Sequence, residues 1–259
     1  MPVLQRPPML YIFANMYTAL HCIALRTVRH SDTKNIVSAW SRELGRVAFA
    51  FPAGSGREAR RRRALTTPLA LFEGQCELRP GREIHTIRDL RPLKGSPALD
   101  GSPVKGLVAL FLAETLDLLL RRAEADSPLS DFLFSSVAVL DSMRRPAALA
   151  NFHLVFLYRL AAMLGVEPDV SEWEPGMHFD MRDACFRPTA PLHSDFLPPA
   201  EAAVVPLLAR LGYRGMHLFR ANRSERNAAV DHMMRYFSIH LAPLTSLKSL
   251  AVLREMGGD

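Results

Sequence analysis

A chain of 259 residues, 49% of them hydrophobic, can bury one large core or two modest ones, which excludes a low-complexity or disordered protein. Its net charge of +6 is unevenly placed: residues 1–94 hold 16 Lys and Arg against 7 Asp and Glu, and the remainder hold 16 against 19. Three widely spaced cysteines, Cys22, Cys76 and Cys185, form neither a disulfide framework nor a CxxC zinc pattern, which points to a reducing, cytoplasmic compartment.

Residues 7–25 are free of charge, but Pro7-Pro8 and the polar Asn15, Thr18 and His21 interrupt the roughly 20 apolar residues that a spanning helix needs. The segment reads as a loose leader, residues 1–15, followed by a strand, with no membrane role. From residue 16 to 92 the pattern is short β-type segments separated by breakers. Val47, Phe49 and Phe51 alternate with small residues, and Ala70, Phe72, Gly74, Cys76 and Leu78 do the same, the period-two mark of half-buried strands. Residues 23–28, 36–40 and 84–90 read as three more, with turns at Ser31-Asp32, Leu44-Gly45 and Pro80-Gly81. Five strands over this length suit a small closed barrel of the OB type.

Residues 91–101, RPLKGSPALDG, read as a linker, and beyond it the period turns helical, so residues 93–259 are expected to form an all-helical domain in an α+β protein. Helices are expected over 103–122, from Ser127-Pro128 to about Met143, and over 147–165. The last is the hub: Leu149, Phe152, Phe156, Leu160 and Leu164 make one apolar face, Val155, Leu157 and Ala161 a second, with Pro146 at its start and Gly165 at its end. Residues 166–199 are an irregular excursion or short hairpin. Helices resume at 199–211, 222–240 and 246–256, and Asn222 with Glu225 has capping-box spacing.

The sharpest chemical feature is GSGREARRRR, residues 54–63, expected as a glycine-led loop between two strands. Arg57, Arg60, Arg61, Arg62 and Arg63 cannot all be desolvated against the single Glu58, so they face solvent, either as an ordinary basic loop or as a phosphate-binding one. Lys34, Arg42 and Arg46 add charge to the same barrel. Trp40, Phe49 and Phe72 are either core or bases' stacking partners. Arg220, Arg223 and Arg226 open the long C-terminal helix, a solvated face or a seat for an acidic ligand or nucleic-acid backbone. His178, Asp180, Asp183, Cys185, His193 and Asp195 are metal-ligand types whose spacing matches no ligand signature, and neither Ser31 nor Ser224 sits in a nucleophile elbow, so no metal and no catalysis is expected.

These stretches carry a family likeness. HCIALRTVRHSDTKNIVSAWSRELGRV, the arginine run with LTTPLALFEG, IHTIRDLRPL, VALFLAETL, NFHLVFLYRLAAMLG, MHLFRANRSERN and LTSLKSLAVL together resemble the bacterial RecO family of recombination mediators, in its zinc-less Bacteroidetes branch, from Met16 on. Residues 1–15 have no counterpart and read as an upstream start. The resemblance implies an OB-fold, a helical domain and no enzyme activity or cofactor. Some members hold a four-cysteine zinc site where only Cys185 stands here, so no metal is implied. It further implies binding of single- and double-stranded DNA, annealing of strands coated with single-strand-binding protein, work with RecR to load RecA, and a nucleoid-associated location. The family's basic residue in its LKS stretch corresponds to Lys248. In the family the acidic, apolar tail of single-strand-binding protein docks on the helical domain; a family arginine falls at Ala150 or Asn151 here, which leaves Phe152, Phe156 and Arg159 to receive the tail. The bland alternative is that both rings are core and Arg159 meets Glu114 or Asp117. A rival to the whole reading is a helical protein-interaction scaffold whose barrel has lost DNA affinity.

Overall fold

The computed structural model describes residues 17–78, 81–93, 102–244 and 247–255. The expected leader, linker residues 94–101, Pro80 of one expected turn, and Ser246 and Met256 at the ends of the last expected helix lie outside the described residues.

Alternation builds the barrel. In β3 (Gly45–Pro52), Val47, Phe49 and Phe51 are buried while Arg46, Ala48 and Ala50 between them are half-buried. β2 (Lys34–Ser41) pairs antiparallel with β3, from Lys34↔Pro52 at its open end to Ser41↔Gly45 at its turn. β1 (Tyr17–Arg29) joins β2 on one side and β4 (Leu71–Glu77) on the other. β5 (Ile84–Pro92) runs antiparallel to β4 and closes the ring through a short parallel contact with β3, in the order β1-β2-β3-β5-β4 of an OB barrel.

The arginine run is not the expected loop. Arg57–Leu65 is a helix, α1, between β3 and β4, with Gly56 as its N-cap. Arg, Glu and Ala are strong helix formers, and Glu58 in the first turn with Arg62 and Arg63 in the last matches the macrodipole.

β1 is apolar on both faces because it has two cores to serve. Leu20, Cys22 and Ala24 fill the barrel with Phe49 and Phe72. Ile23 and Leu25, with Trp40, Leu69 and Leu71, belong to the larger core of the helical domain. Trp40 Nε1 donates to Ser130 Oγ at 3.0 Å across that junction. Gly45 sits at φ +72°, where a Cβ would meet backbone atoms of residues 123–125 at 2.5–2.7 Å, so only glycine allows the barrel to approach this closely.

α2 (Pro103–Leu119), α3 (Ser127–Ser142) and α4 (Pro146–Met163) follow. Asp126 caps α3 through Leu129 N–H at 2.6 Å. α4 is the expected hub, buried from Asn151 through Tyr158 and again at Leu160 and Ala161, and it ends on Gly165 at φ +73° with Val166 N–H bonded to Ala161 C=O. It is the one described helix as long and apolar as a membrane span, and it is core.

The excursion at 166–199 contains a small sheet of β6 (His178–Asp180), β7 (Cys185–Arg187) and β8 (Phe196–Leu197), ordered β7-β6-β8. The helix expected at 199–211 is two, α5 (Pro199–Ala202) and α6 (Val204–Arg210), because Pro206 has no N–H to return to Ala202. α7 (Arg223–His240) carries the full capping box of Asn222 and Glu225. α8 (Ser249–Glu255) starts later than expected, and Glu114 of α2 caps it by accepting from Lys248 N–H, Ser249 N–H and Ser249 Oγ.

Candidate nucleic-acid interface

α1 lies on the surface with no buried residue, following directly from the open end of the β2–β3 hairpin. Arg57, Arg60, Arg61 and Arg63 are exposed and Arg62 is half-buried. The only carboxylate on the helix, Glu58, is 3.8 Å from Arg61 and 3.6 Å from Arg62, loose pairs that leave most of the charge uncompensated. Arg63 also donates to Gly54 C=O at 2.9 Å, which tethers the helix to the strand that precedes it. Exposed Lys34 stands opposite Pro52 at this same end. A shallow groove between α1 and the strands, where Thr27 and Asn35 face Arg62 and Arg63, completes the surface. Arg88 on β5, exposed and 5.5 Å over the Tyr17 ring, is a cation that the strand alternation carried but the cluster-based reading passed over.

Arg42 and Arg46 are elsewhere, near the turn end of the hairpin, and they have protein partners. Arg42 meets Asp131 of α3 at 2.5 Å and lies 4.2 Å over the Phe134 ring. Arg46 meets Asp117 of α2 at 2.5 Å and donates to Val47 C=O, with both members of the ion pair largely buried. These two residues bolt the barrel to the helices. Trp40, Phe49 and Phe72 are fully buried, so they are core and not base-stacking platforms. Exposed Lys248 lies far along the chain, at the start of α8 beside Glu114. Burial works against ionisation of Glu114, but the hydrogen bonds from Ser249 and Lys248, with Arg26 nearby, outweigh it and hold its carboxyl below the usual range.

Phe152 and Phe156 are 1% and 2% exposed, so the expected aromatic pocket is closed core. Phe152 stacks on Tyr213 at 5.2 Å, and Phe156 lies 5.2 Å from Phe132. Arg159 is exposed 5.9 Å over the Tyr213 ring, and neither acid expected for it is free, since Glu114 caps α8 and Asp117 holds Arg46.

The opening in the helical domain lies one turn earlier, at the N-terminus of α4, with a volume of about 780 Å³. Val104, Met143, Leu149 and Leu253 give it apolar walls; Lys105, Arg144 and Arg226 give it three cations, and among the described residues no carboxylate lines it. The cations have carbonyl partners: Lys105 and Arg144 donate to Asp141 C=O, and Arg226 to Ala221 C=O at 2.5 Å. Arg226 is thus the member of the α7 cluster that reaches a cavity, while Arg223 donates to Arg254 C=O and Arg220 is exposed. His153 also lines the opening; burial, then Arg226, pulls its pKa down to about 4. Sequence reasoning missed this site, because its residues come from four helices and share no spacing.

Asp180 and Asp195 of the excursion are engaged within the protein. Asp180 accepts from the N–H groups of Arg182 and Asp183 and faces His193 at 3.3 Å, and Asp195 holds Arg182 and Arg235, each at 2.7 Å.

An OB barrel carrying a solvent-facing arginine helix, joined to a helical domain through Trp40, Arg42 and Arg46, defines a two-part protein with a strongly basic surface on its barrel. Comparison with known proteins agrees: the family described as Recombination protein O N terminal matches residues 16–95, and Recombination protein O C terminal matches residues 101–251. The DNA repair protein RecO of Phocaeicola vulgatus is 38% identical over 234 residues, 90% of this chain and 96% of that one. Those of Bacteroides fragilis and Porphyromonas gingivalis are 35% and 34% identical, covering 90% and 92% of this chain and 96% and 98% of theirs. The chain belongs to the RecO family of DNA repair and recombination proteins.

Proposed function

We propose that this protein is a cytoplasmic, nucleoid-associated mediator that binds single- and double-stranded DNA through α1 and Lys34, with Lys248 as a contact on the helical side. It anneals strands coated with single-strand-binding protein and helps RecR load RecA, without a cofactor. The observation that carries the reading is α1 itself: five guanidinium groups, one carboxylate and no buried residue, on the surface of an OB barrel. Cations held near two strands at once lower the repulsion between their phosphates, which is the physical requirement of annealing.

The acidic, apolar tail of single-strand-binding protein docks, in this reading, in the opening at the N-terminus of α4. Leu149 and Leu253 offer its apolar end a wall, and Arg144 and Arg226 offer its carboxylates charge.

Replacing Arg60, Arg61, Arg62 and Arg63 by Ala tests the reading. Phosphate contacts carry little sequence information, so binding weakens across sequences. For about four lost contacts the log–log salt slope shrinks by roughly 3 to 4 units, at ~0.7 to 0.9 per phosphate. An unchanged slope assigns the barrel to the rival class, a protein-interaction scaffold.

A further inference from the structure

His153 lines the α4 opening and takes no part in the proposed function. It is 5% exposed, and its Nδ1 is sealed from solvent without a hydrogen-bond partner. Among the described residues no group bonds to its other ring nitrogen, and the ring's neighbour is apolar, Phe111 edge-on at 6.3 Å. With Nδ1 sealed, Nε2 is the ring nitrogen left to a ligand in the opening that His153 lines, and buried polar groups are nearly always paired.

The charge around the ring says what that ligand is. The ionisable groups facing the opening are Lys105 from α2, Arg144 from the turn before α4 and Arg226 from α7, while α8 contributes Leu253. Burial, then Arg226, act against a charged imidazole, and among the described residues no carboxylate lines the opening to offset them, so the ring is neutral in the free protein. A carboxylate entering the opening reverses that balance. It cancels the field of Arg226 and gives an imidazolium N–H an acceptor, both of which favour protonation.

We infer that His153 reads the carboxylate of an acidic, apolar peptide terminus in this opening, taking a proton from solvent as the peptide binds and donating that N–H to it. The inference rests on the peptide-docking part of the proposed function. It makes His153 a recognition residue and makes docking proton-linked: affinity rises as pH falls below the pKa of the bound state, until the peptide's own carboxylates protonate.

The test is calorimetry of the full chain with a synthetic peptide of alternating Asp and Gly that ends in a free phenylalanine carboxylate. Titrations run in buffers of different ionisation enthalpy, near pH 6 and near pH 8. The expected result is net proton uptake near pH 6, little near pH 8, and affinity about threefold to tenfold tighter at the lower pH, the effect of a bound-state pKa raised by roughly two and a half to three units. His153→Gln keeps a neutral donor and removes the titration, so it binds with no uptake and with pH-independent affinity. Wild-type binding without proton uptake, or the same pH dependence in His153→Gln, overturns the role of His153 and leaves the docking reading standing. No binding by the wild type at either pH overturns the docking reading itself. If His153→Gln does not fold, the ring's proton resonances in the wild type decide: they move to the protonated position on adding peptide near pH 6, and an unmoved ring in a peptide-bound protein overturns the inference.

Discussion

The two ends of the β2–β3 hairpin carry like charges to opposite uses. At the turn end, Arg46 is buried against Asp117 and Arg42 is laid over Phe134 against Asp131. At the open end, Lys34 and the arginines of α1 face solvent with one carboxylate among them. A guanidinium in a low-dielectric junction needs an anion from its own chain, whereas one in water is free to take an anion from elsewhere. Membership of a basic cluster in sequence therefore does not locate a binding surface; the groups facing each residue do.

The comparison breaks most visibly in stability. Arg46→Ala leaves the Asp117 carboxylate, 6% exposed, charged and unpaired between barrel and helices, and is expected to cost about 3–5 kcal/mol in urea unfolding. Replacing the pair together, Arg46→Met with Asp117→Leu, recovers most of that loss, because both charges leave the junction. The four α1 substitutions are expected to do the reverse: they flatten the salt slope of DNA binding while shifting the unfolding free energy by less than about 1 kcal/mol, as exposed helix positions do. If Arg46→Ala flattened the slope as much, or the α1 variant unfolded as readily, the two ends of the hairpin would not be functionally distinct.

A third cationic region sharpens the contrast through pH. His153 is buried neutral, its pKa about 4 in the fold against an ordinary 6.5. The unfolded chain therefore takes the proton first as pH falls. This contribution to stability is fully present above about 6.5 and is lost as pH falls toward 4, at up to about 1.4 kcal/mol per unit, or roughly 2 kcal/mol by pH 5. Glu114, its carboxyl also held low, loses its contribution in the same direction but through its own protonation, which releases the start of α8. Equilibrium unfolding of His153→Gln across pH 4–7 should show a shallower decline than the wild type; parallel curves would mean that the ring takes up its proton as readily in the fold as in the unfolded chain.

What the sequence made legible followed from local periodicity. Alternation at Val47, Phe49 and Phe51 fixed the inside of the barrel, and the Pro146-to-Gly165 frame fixed the hub helix, because burial on one side or all round writes a repeat into the chain. The arginine run was legible as solvent-facing but not as a helix, since Gly54 and Gly56 mark a loop and nothing in the run alternates with an apolar face. Partnership was not legible at all. That Arg46 meets Asp117, 71 positions away, or that Lys105, Arg144, His153 and Arg226 share one opening, depends on how helices cross, and no spacing in one chain encodes it. The same limit explains Phe152 and Phe156, whose helical spacing fits a receptive pocket and a closed core equally well until Tyr213 and Phe132 are seen to cover them.

The smallest expected effect concerns Arg159, which separates a cation that merely rests on a ring from one that serves a site. It is exposed, sits 5.9 Å over Tyr213 and has no described carboxylate partner. Arg159→Ala should cost about 0.5–1 kcal/mol, the worth of an exposed cation–π contact with some lost packing over the ring. Because Arg159 lines neither the opening at the start of α4 nor the surface of α1, peptide affinity and the DNA salt slope should both stay as in the wild type. Arg226→Ala, by contrast, removes a cation from the lining of the opening and should weaken the peptide by about 1.5–3 kcal/mol, as expected for a charge-assisted hydrogen bond. Titrating both variants with the same acidic peptide decides between the two places on α4: a larger loss in Arg159→Ala than in Arg226→Ala would return the docking site to the Tyr213 side of the helix.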